Sequence, residues 1–287
     1  MKKVFITRRL PFVAREILEE KFKVDSNDKN EPYPNNKLLD IVINYDAVLA
    51  TVSEKFDKNI LEKKSRLKVI SNYAVGLDNI DVKYAQSIGI SVYNTPDVVT
   101  NSTADLTFAL LLSLIRKINF ASEFVKNDKW KKWDPELFLG EELFGKVFGI
   151  LGFGKIGQAV ARRATGFGLD IIYYNRSKIN VGKTLKLNVK PVALNELLET
   201  SDYLSIHLPL TNETKGFINK QTINRMKKKP IILNMARGDI VNSNDLIEAL
   251  ESGKIKGAGL DVTSPEPLPG DHPACHLDNC IVVPHIG

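Results

Sequence analysis

Val147-Phe-Gly-Ile-Leu-Gly-Phe-Gly-Lys-Ile-Gly157 is a short apolar run that leads directly into Gly152-x-Gly154-x-x-Gly157. The run has the length of one buried strand. After it, Ile156, Ala159, Val160 and Ala164 recur at helical spacing, so the glycines lie on a strand-to-helix turn. In that context the motif predicts a dinucleotide site. Gly152 permits the tight turn, Gly154 lets the backbone approach a pyrophosphate, and Gly157 lets the helix pack close to the strand. The phosphates then face the free amides and positive end of the helix.

Outward from this turn, strand-like runs alternate with amphipathic stretches, the pattern of βαβ units and parallel sheets. Further strands are expected at 170–174, 203–208, 230–235, 257–262 and 279–284, which with 147–151 make six. Toward the N-terminus, strands are expected near 3–6, 46–50, 68–71 and 90–93, with helices near 9–20, 36–43 and 81–88. Asn94-Thr95-Pro96-Asp97 closes that unit. The fold class is therefore α/β with two domains, 1–97 and 98–287, each a parallel sheet flanked by helices. A long helix is expected to open at a Ser102-x-x-Asp105 capping box and run to about Phe124. Its stretch Leu106–Ile115 is apolar nearly all round, which predicts burial on several sides, as at an interdomain or subunit contact.

The 287 residues are 43% hydrophobic and 26% charged, ordinary values for a globular chain. The longest apolar run, Phe108–Ile115, is too short to span a bilayer, and the N-terminus lacks the apolar core of a signal peptide. Cys275 and Cys280 are the only cysteines and cannot complete a zinc set, so a reduced cytoplasmic protein with no metal is expected. The net charge of +6 is scattered rather than striped, which argues against nucleic acid and suits small anionic ligands.

The second strand of the glycine-turn unit ends Tyr173-Tyr174-Asn175-Arg176-Ser177, without the carboxylate that would accept from the adenosine ribose of NAD. Arg176 can instead pair with a 2′-phosphate through its forked donors, and Ser177 can add a further bond. NADP is therefore the expected cofactor, with NAD possible. Three polar groups follow later strands: Arg237 in Asn234-Met-Ala-Arg-Gly-Asp239, Glu266 in Gly259-Leu-Asp-Val-Thr-Ser-Pro-Glu-Pro267, and His285 in Val283-Pro-His-Ile-Gly287. Arg, Glu and His together suit reduction of a 2-oxo acid. Arginine holds the carboxylate and polarises the carbonyl, imidazolium protonates the nascent alkoxide, and the carboxylate orients the imidazole and raises its pKa.

These segments resemble the D-isomer-specific 2-hydroxyacid dehydrogenases, and most closely their glyoxylate/hydroxypyruvate reductases. The resemblance covers residues 69–287 and includes Val75-Gly-Leu-Asp-Asn-Ile-Asp81, Thr95-Pro-Asp97, Trp130-x-x-Trp133, His207-Leu-Pro-Leu-Thr211 and the run from Ser252 to Pro269. It implies a flavodoxin-like substrate domain and a Rossmann dinucleotide domain. It further implies Arg237, Glu266 and His285 as catalytic groups, and Val75 and Gly76 as backbone amides that, with Arg237, hold the substrate carboxylate. Cofactor contacts are implied along Gly152, Phe153, Gly154, Lys155, Ile156 and Gly157, at Asn175, Arg176 and Ser177, and at Leu208, Pro209, Met235 and Ala236. Asp261 matches the residue that holds the nicotinamide carboxamide, Thr103 a position near the nicotinamide, and His207 a wall residue outside the mechanism.

Formate dehydrogenases carry an amide where Glu266 stands, and phosphoglycerate dehydrogenases keep an acidic residue at the position of Asn175. Family members continue past the His-Ile-Gly motif with a helix that crosses back to the smaller domain, a segment this sequence does not contain. Either the sequence is clipped there or the helix is absent, and in the second case fraying near His285 and bared apolar surface on the first domain are expected. The loop bearing Trp130 and Trp133, with the helix before it, is expected to form a two-fold homodimer contact. The alternative function is a nucleotide-sensing binding protein like the corepressors that share this fold. Such proteins also keep Arg, Glu and His, but Arg176 and the lack of long disordered extensions count against it.

Overall fold

Short apolar runs separated by helices leave the chain little choice but parallel pairing, because each strand must be re-entered from the same end. The computed structural model describes residues 1–29, 31–177, 179 and 188–287. Two compact units result, Met1–Val98 and Val99–Gly287.

In the first unit, β1 (Lys3–Ile6), β2 (Lys23–Ser26), β3 (Ala47–Ala50), β4 (Val69–Asn72) and β5 (Ser91–Tyr93) form one sheet in the order β2-β1-β3-β4-β5. All its pairings are parallel. Helices α1 (Phe12–Glu19), α2 (Asn35–Asn44), α3 (Lys58–Leu61) and α4 (Val82–Ser87) connect the strands. Strand β2 and helix α3 were not expected. The core gathers Leu38, Ile41, Val48, Phe56, Leu67 and Ile70, all essentially without exposure.

The second unit opens with α5 (Thr100–Ile115) and α6 (Ile118–Lys126). The expected single helix to Phe124 is broken at Lys117, whose φ of 51° turns the chain. The predicted capping box does not form either. Helix α5 begins at Thr100 with no side-chain cap, and the Ser102 hydroxyl donates to Val99 O and Gly287 O instead. The apolar face of α5 is covered within its own unit, by α7 (Lys155–Gly166) and by β11 (Gly257–Leu260). Phe108 stacks between Phe148 and Phe167, with ring centroids 5.5 and 5.0 Å away. No subunit contact is needed to explain that burial.

The large sheet contains β6 (Val147–Leu151), β7 (Asp170–Tyr174), β8 (Val189–Pro191), β9 (Tyr203–Ile206), β10 (Ile231–Asn234), β11 and β12 (Cys280–Val282), in the order β12-β11-β10-β9-β6-β7-β8. Seven strands are thus present among the described residues where six were expected; β8 is the addition. Helices α8 (Leu194–Thr200), α9 (Lys220–Ile223) and α10 (Ser243–Glu251) complete the unit. The order reverses between β6 and β9, and such a reversal opens a crevice at the carboxyl edge of the sheet.

Candidate active site

The crevice between β6 and β9 is shaped by its glycines. Gly152 follows β6 with a φ of +96°, and a Cβ there would meet His207 O at 2.7 Å. At Gly157 a Cβ would lie 2.3 Å from Gly152 O, so only glycine lets α7 start this close to the strand. Gly154 differs: nothing lies within 4 Å of its would-be Cβ, and it caps α7 without a side-chain bond. Helix α7 therefore starts without a side-chain cap beside an open space, the arrangement that receives a pyrophosphate. The residues fit a dinucleotide.

Asn175, beyond β7, turns inward. Its Oδ1 accepts from the Phe153 amide at 3.1 Å and its Nδ2 donates to Ser177 O at 2.8 Å. It braces the glycine turn from the neighbouring strand, while Arg176 and Ser177 stay exposed. Phe153 points away from the crevice, fully buried and stacked on Tyr173 at 3.9 Å. Lys155 and Ile156 lie in the first turn of α7. After β9, the His207 ring is buried, and burial lowers its pKa to about 3. It is held neutral against the Ser205 hydroxyl at 2.8 Å, which suits a wall and not a proton donor. Leu208 is half-buried and Pro209 exposed on the same edge.

Three loops at the carboxyl ends of β10, β11 and β12 carry the polar groups. Asn234, buried at the end of β10, accepts from the Ala236 amide and donates to Arg237 O at 2.9 Å. That Asx-type brace folds Met235 and Ala236 inward, both nearly buried, and sets Arg237 at the rim. Gly238 then allows a close approach: a Cβ there would lie 1.9 Å from Thr263 O, in the loop after β11. Ser264 fastens the same two loops by donating to Asp239.

The loop after β11 ends at Glu266, whose Oε1 lies 2.6 Å from His285 Nδ1 and whose Oε2 accepts from the Thr263 amide at 3.4 Å. His285 holds a left-handed φ of 55°, with its amide donating to Val283 O. Its pKa is raised, first by the hydrogen bond to Glu266; burial opposes this, and the charges of Glu266 and Asp261 reinforce it. Burial pushes Glu266 upward, but the bond and charge of His285, with Thr263 and Arg237, bring it below the ordinary carboxylate value. Arg237 acts electrostatically on both partners. The guanidinium, carboxylate and imidazole therefore converge at one sheet edge.

Asp261 is 3% exposed, and its carboxylate accepts from the amides of Ile286 at 2.7 Å and Gly287 at 3.1 Å. It anchors the loop that carries His285. Thr103, from α5, donates to Gly287 O at 2.7 Å and to Val99 O. Asn234 and the Ser264–Asp239 pair were not anticipated as parts of the site. An asparagine that ends a buried strand was the available signal for the first.

Val75 and Gly76 lie in the first unit, in the turn after β4, with Val75 exposed.

Residues 108–287 match the model of the D-isomer specific 2-hydroxyacid dehydrogenase NAD-binding domain. The chain belongs to this family. It is 46% identical to the glyoxylate reductase of Pyrococcus furiosus, over 99% of this chain and 85% of that protein. A glyoxylate reductase structure from Paecilomyes thermophila superposes with a TM-score of 0.88 at 30% identity, over 100% of this chain and 88% of that one. The NADPH-dependent glyoxylate/hydroxypyruvate reductase of Sinorhizobium meliloti, solved with NADP and malonate, gives a TM-score of 0.85 at 27% identity, over 99% and 86% of the two chains. The protein is thus an oxidoreductase of the D-2-hydroxyacid dehydrogenase type that uses a nicotinamide dinucleotide. Among the described residues no helix is long and apolar enough to cross a membrane.

Proposed function

We propose that the protein reduces small 2-oxo acids, glyoxylate and hydroxypyruvate first, to 2-hydroxy acids, with NADPH preferred over NADH. The observation that carries this reading is the 2.6 Å contact of His285 with Glu266 under the influence of Arg237. Arg237 binds the substrate carboxylate and polarises the adjacent carbonyl; within the first unit, the amides of Val75 and Gly76 are donors to a carboxylate. His285 Nδ1 is engaged by Glu266, which leaves Nε2 to donate the proton to the carbonyl oxygen. Glu266 keeps the ring oriented and favours its charged form. Asp261 holds the loop of His285 and has lone pairs left for a carboxamide. When bound, the reduced dinucleotide supplies the hydride.

In this reading Gly152, Gly154 and Gly157, with the amides of the first turn of α7, hold the pyrophosphate. Leu208 and Pro209 line the adenosine side, Met235, Ala236 and Thr103 border the nicotinamide, residues 98–287 form the dinucleotide domain and residues 1–97 the substrate domain. The preference for NADPH rests on Arg176 at a position with no carboxylate, and on the dinucleotide named for the Sinorhizobium relative. The nucleotide-sensing alternative is not favoured, since the similar proteins carry reductase names.

A homodimer belongs to the same proposal. Helix α6 buries no residue, and Trp130, Trp133, Leu139 and Phe144 follow it with exposures of 57, 78, 65 and 80%. A second copy is the natural cover for that stretch. Both cysteines are unpaired, in keeping with a reducing, cytoplasmic setting. Steady-state kinetics with a panel of 2-oxo acids and both cofactors test the proposal. Turnover of glyoxylate with NADPH supports it, and a clear preference for NADH removes the role given to Arg176.

A further inference from the structure

The turn after β4 is held in an unusual way. Three consecutive carbonyls are each captured: Ala74 O by the Thr95 amide at 3.0 Å, Val75 O by Asn94 Nδ2 at 2.8 Å, and Gly76 O by Asn72 Nδ2 at 2.9 Å. Asn72 is fully buried and is itself fixed by Asn79, which accepts from it at 3.1 Å. Asn79 Nδ2 in turn donates to Thr51 O and Glu54 O, both at 2.9 Å, tying the turn to the loop after β3.

In a trans peptide the carbonyl and the following N–H share one plane and point in opposite directions. Capturing Ala74 O therefore aims the Val75 amide, and capturing Val75 O aims the Gly76 amide, away from Thr95 and Asn94. Two successive N–H groups aimed to one side can together receive an anion. We propose that Asn94 is a positioning residue of the reductase: by holding Val75 O it fixes the Gly76 amide as a donor to the substrate carboxylate, with the Asn72–Asn79 pair as the brace on the other side. This rests on the reductase reading above. It adds a determinant of substrate affinity that touches neither substrate nor cofactor.

The test is Asn94→Ala, with Asn94→Asp as a near-isosteric variant that lacks the amide donor; Asn94 is the better site because Asn72 is buried and its loss risks the fold. The KM for glyoxylate is expected to rise about 3- to 10-fold in both variants, the effect of losing one orienting hydrogen bond. The kcat, the Kd for NADPH and the melting temperature are expected to stay near the parent's. Arg237→Ala is measured in parallel. If it raises KM while both Asn94 variants keep the parent value, the positioning role is wrong and the reductase reading stands. If Arg237→Ala also leaves KM unchanged, the reductase reading fails and the proposal with it. A parallel fall in kcat, cofactor affinity and melting temperature at Asn94 also overturns the proposal, since it marks a general structural defect.

Discussion

Replacing His285 with glutamine removes the proposed acid while preserving much of its surroundings. The glutamine amide has similar reach and can still donate to Glu266, so the contact at 2.6 Å has a successor and the loop keeps its anchor at Asp261. What disappears is the titratable proton. General acid catalysis is worth about 10²–10⁴-fold, which at about 1.36 kcal/mol per tenfold is about 2.7–5.4 kcal/mol of barrier. The His285 side chain keeps 31% exposure, so water can reach the same oxygen and supply part of the proton. The loss in kcat is therefore expected toward the lower end, about 10²–10³-fold. Initial rates of NADPH oxidation by glyoxylate read kcat, and fluorescence titration reads the Kd for NADPH, which is expected to stay within about twofold. A variant whose kcat stays within threefold of the parent refutes the assignment of the acid.

Other substitutions probe the remaining parts. Glu266→Gln keeps an acceptor for Nδ1 but removes the charge that raises His285; the alkaline limb of the reductive kcat profile is expected to move to lower pH, and an unmoved limb contradicts the pairing. The same pair sets a stability window. His285, raised from 6.5, contributes stability that is complete below that value and lost as pH climbs through its folded pKa, whereas Glu266, lowered from 4.5, contributes above that value and loses it as pH falls through its own. Melting temperatures of parent and Glu266→Gln should therefore differ most between those limits and converge at alkaline pH. Arg176→Ala is expected to raise the KM for NADPH about 10- to 100-fold, the loss of charge-assisted bonds to a phosphate, with little change for NADH. Gly238→Ala drives a methyl into Thr263 O, where it would sit at 1.9 Å; separation of the Arg237 and Glu266 loops should lower kcat/KM, and an active variant of unchanged melting temperature would count against that packing.

The glycine turn and its strand were legible because the signal is local: an apolar run, three glycines and a helical period within about twenty residues. The positions of Arg237, Glu266 and His285 just beyond strand ends were local in the same way, two of the strands being fully buried and the last partly so. Strand β2 escaped because Lys23-Val-Asp-Ser26 is half-exposed and carries no apolar run, and β8 because it is short and ends in proline. The break at Lys117 has no glycine or proline to announce it. Ser102 matched a capping pattern by spacing, yet its hydroxyl is taken by Val99 and Gly287, a contact across the chain that no local rule foresees. Asn175 was placed among the cofactor positions by spacing, whereas its hydrogen bond to the Phe153 amide, twenty-two residues earlier, could not be read that way. Asn72, Asn94 and Asn234 were silent for the same reason. An asparagine's value lies in which carbonyl or amide it meets, and that is fixed only by the assembled sheet.

Product analysis bears most directly on the claim that one guanidinium, one carboxylate and one imidazole turn this sheet edge into a reductase. Purified protein, glyoxylate and NADPH should give glycolate in equal amount to the cofactor oxidised, with His285→Gln and Arg237→Ala both strongly impaired. Absence of glycolate with either nicotinamide cofactor, or its formation undiminished in both variants, would contradict the account.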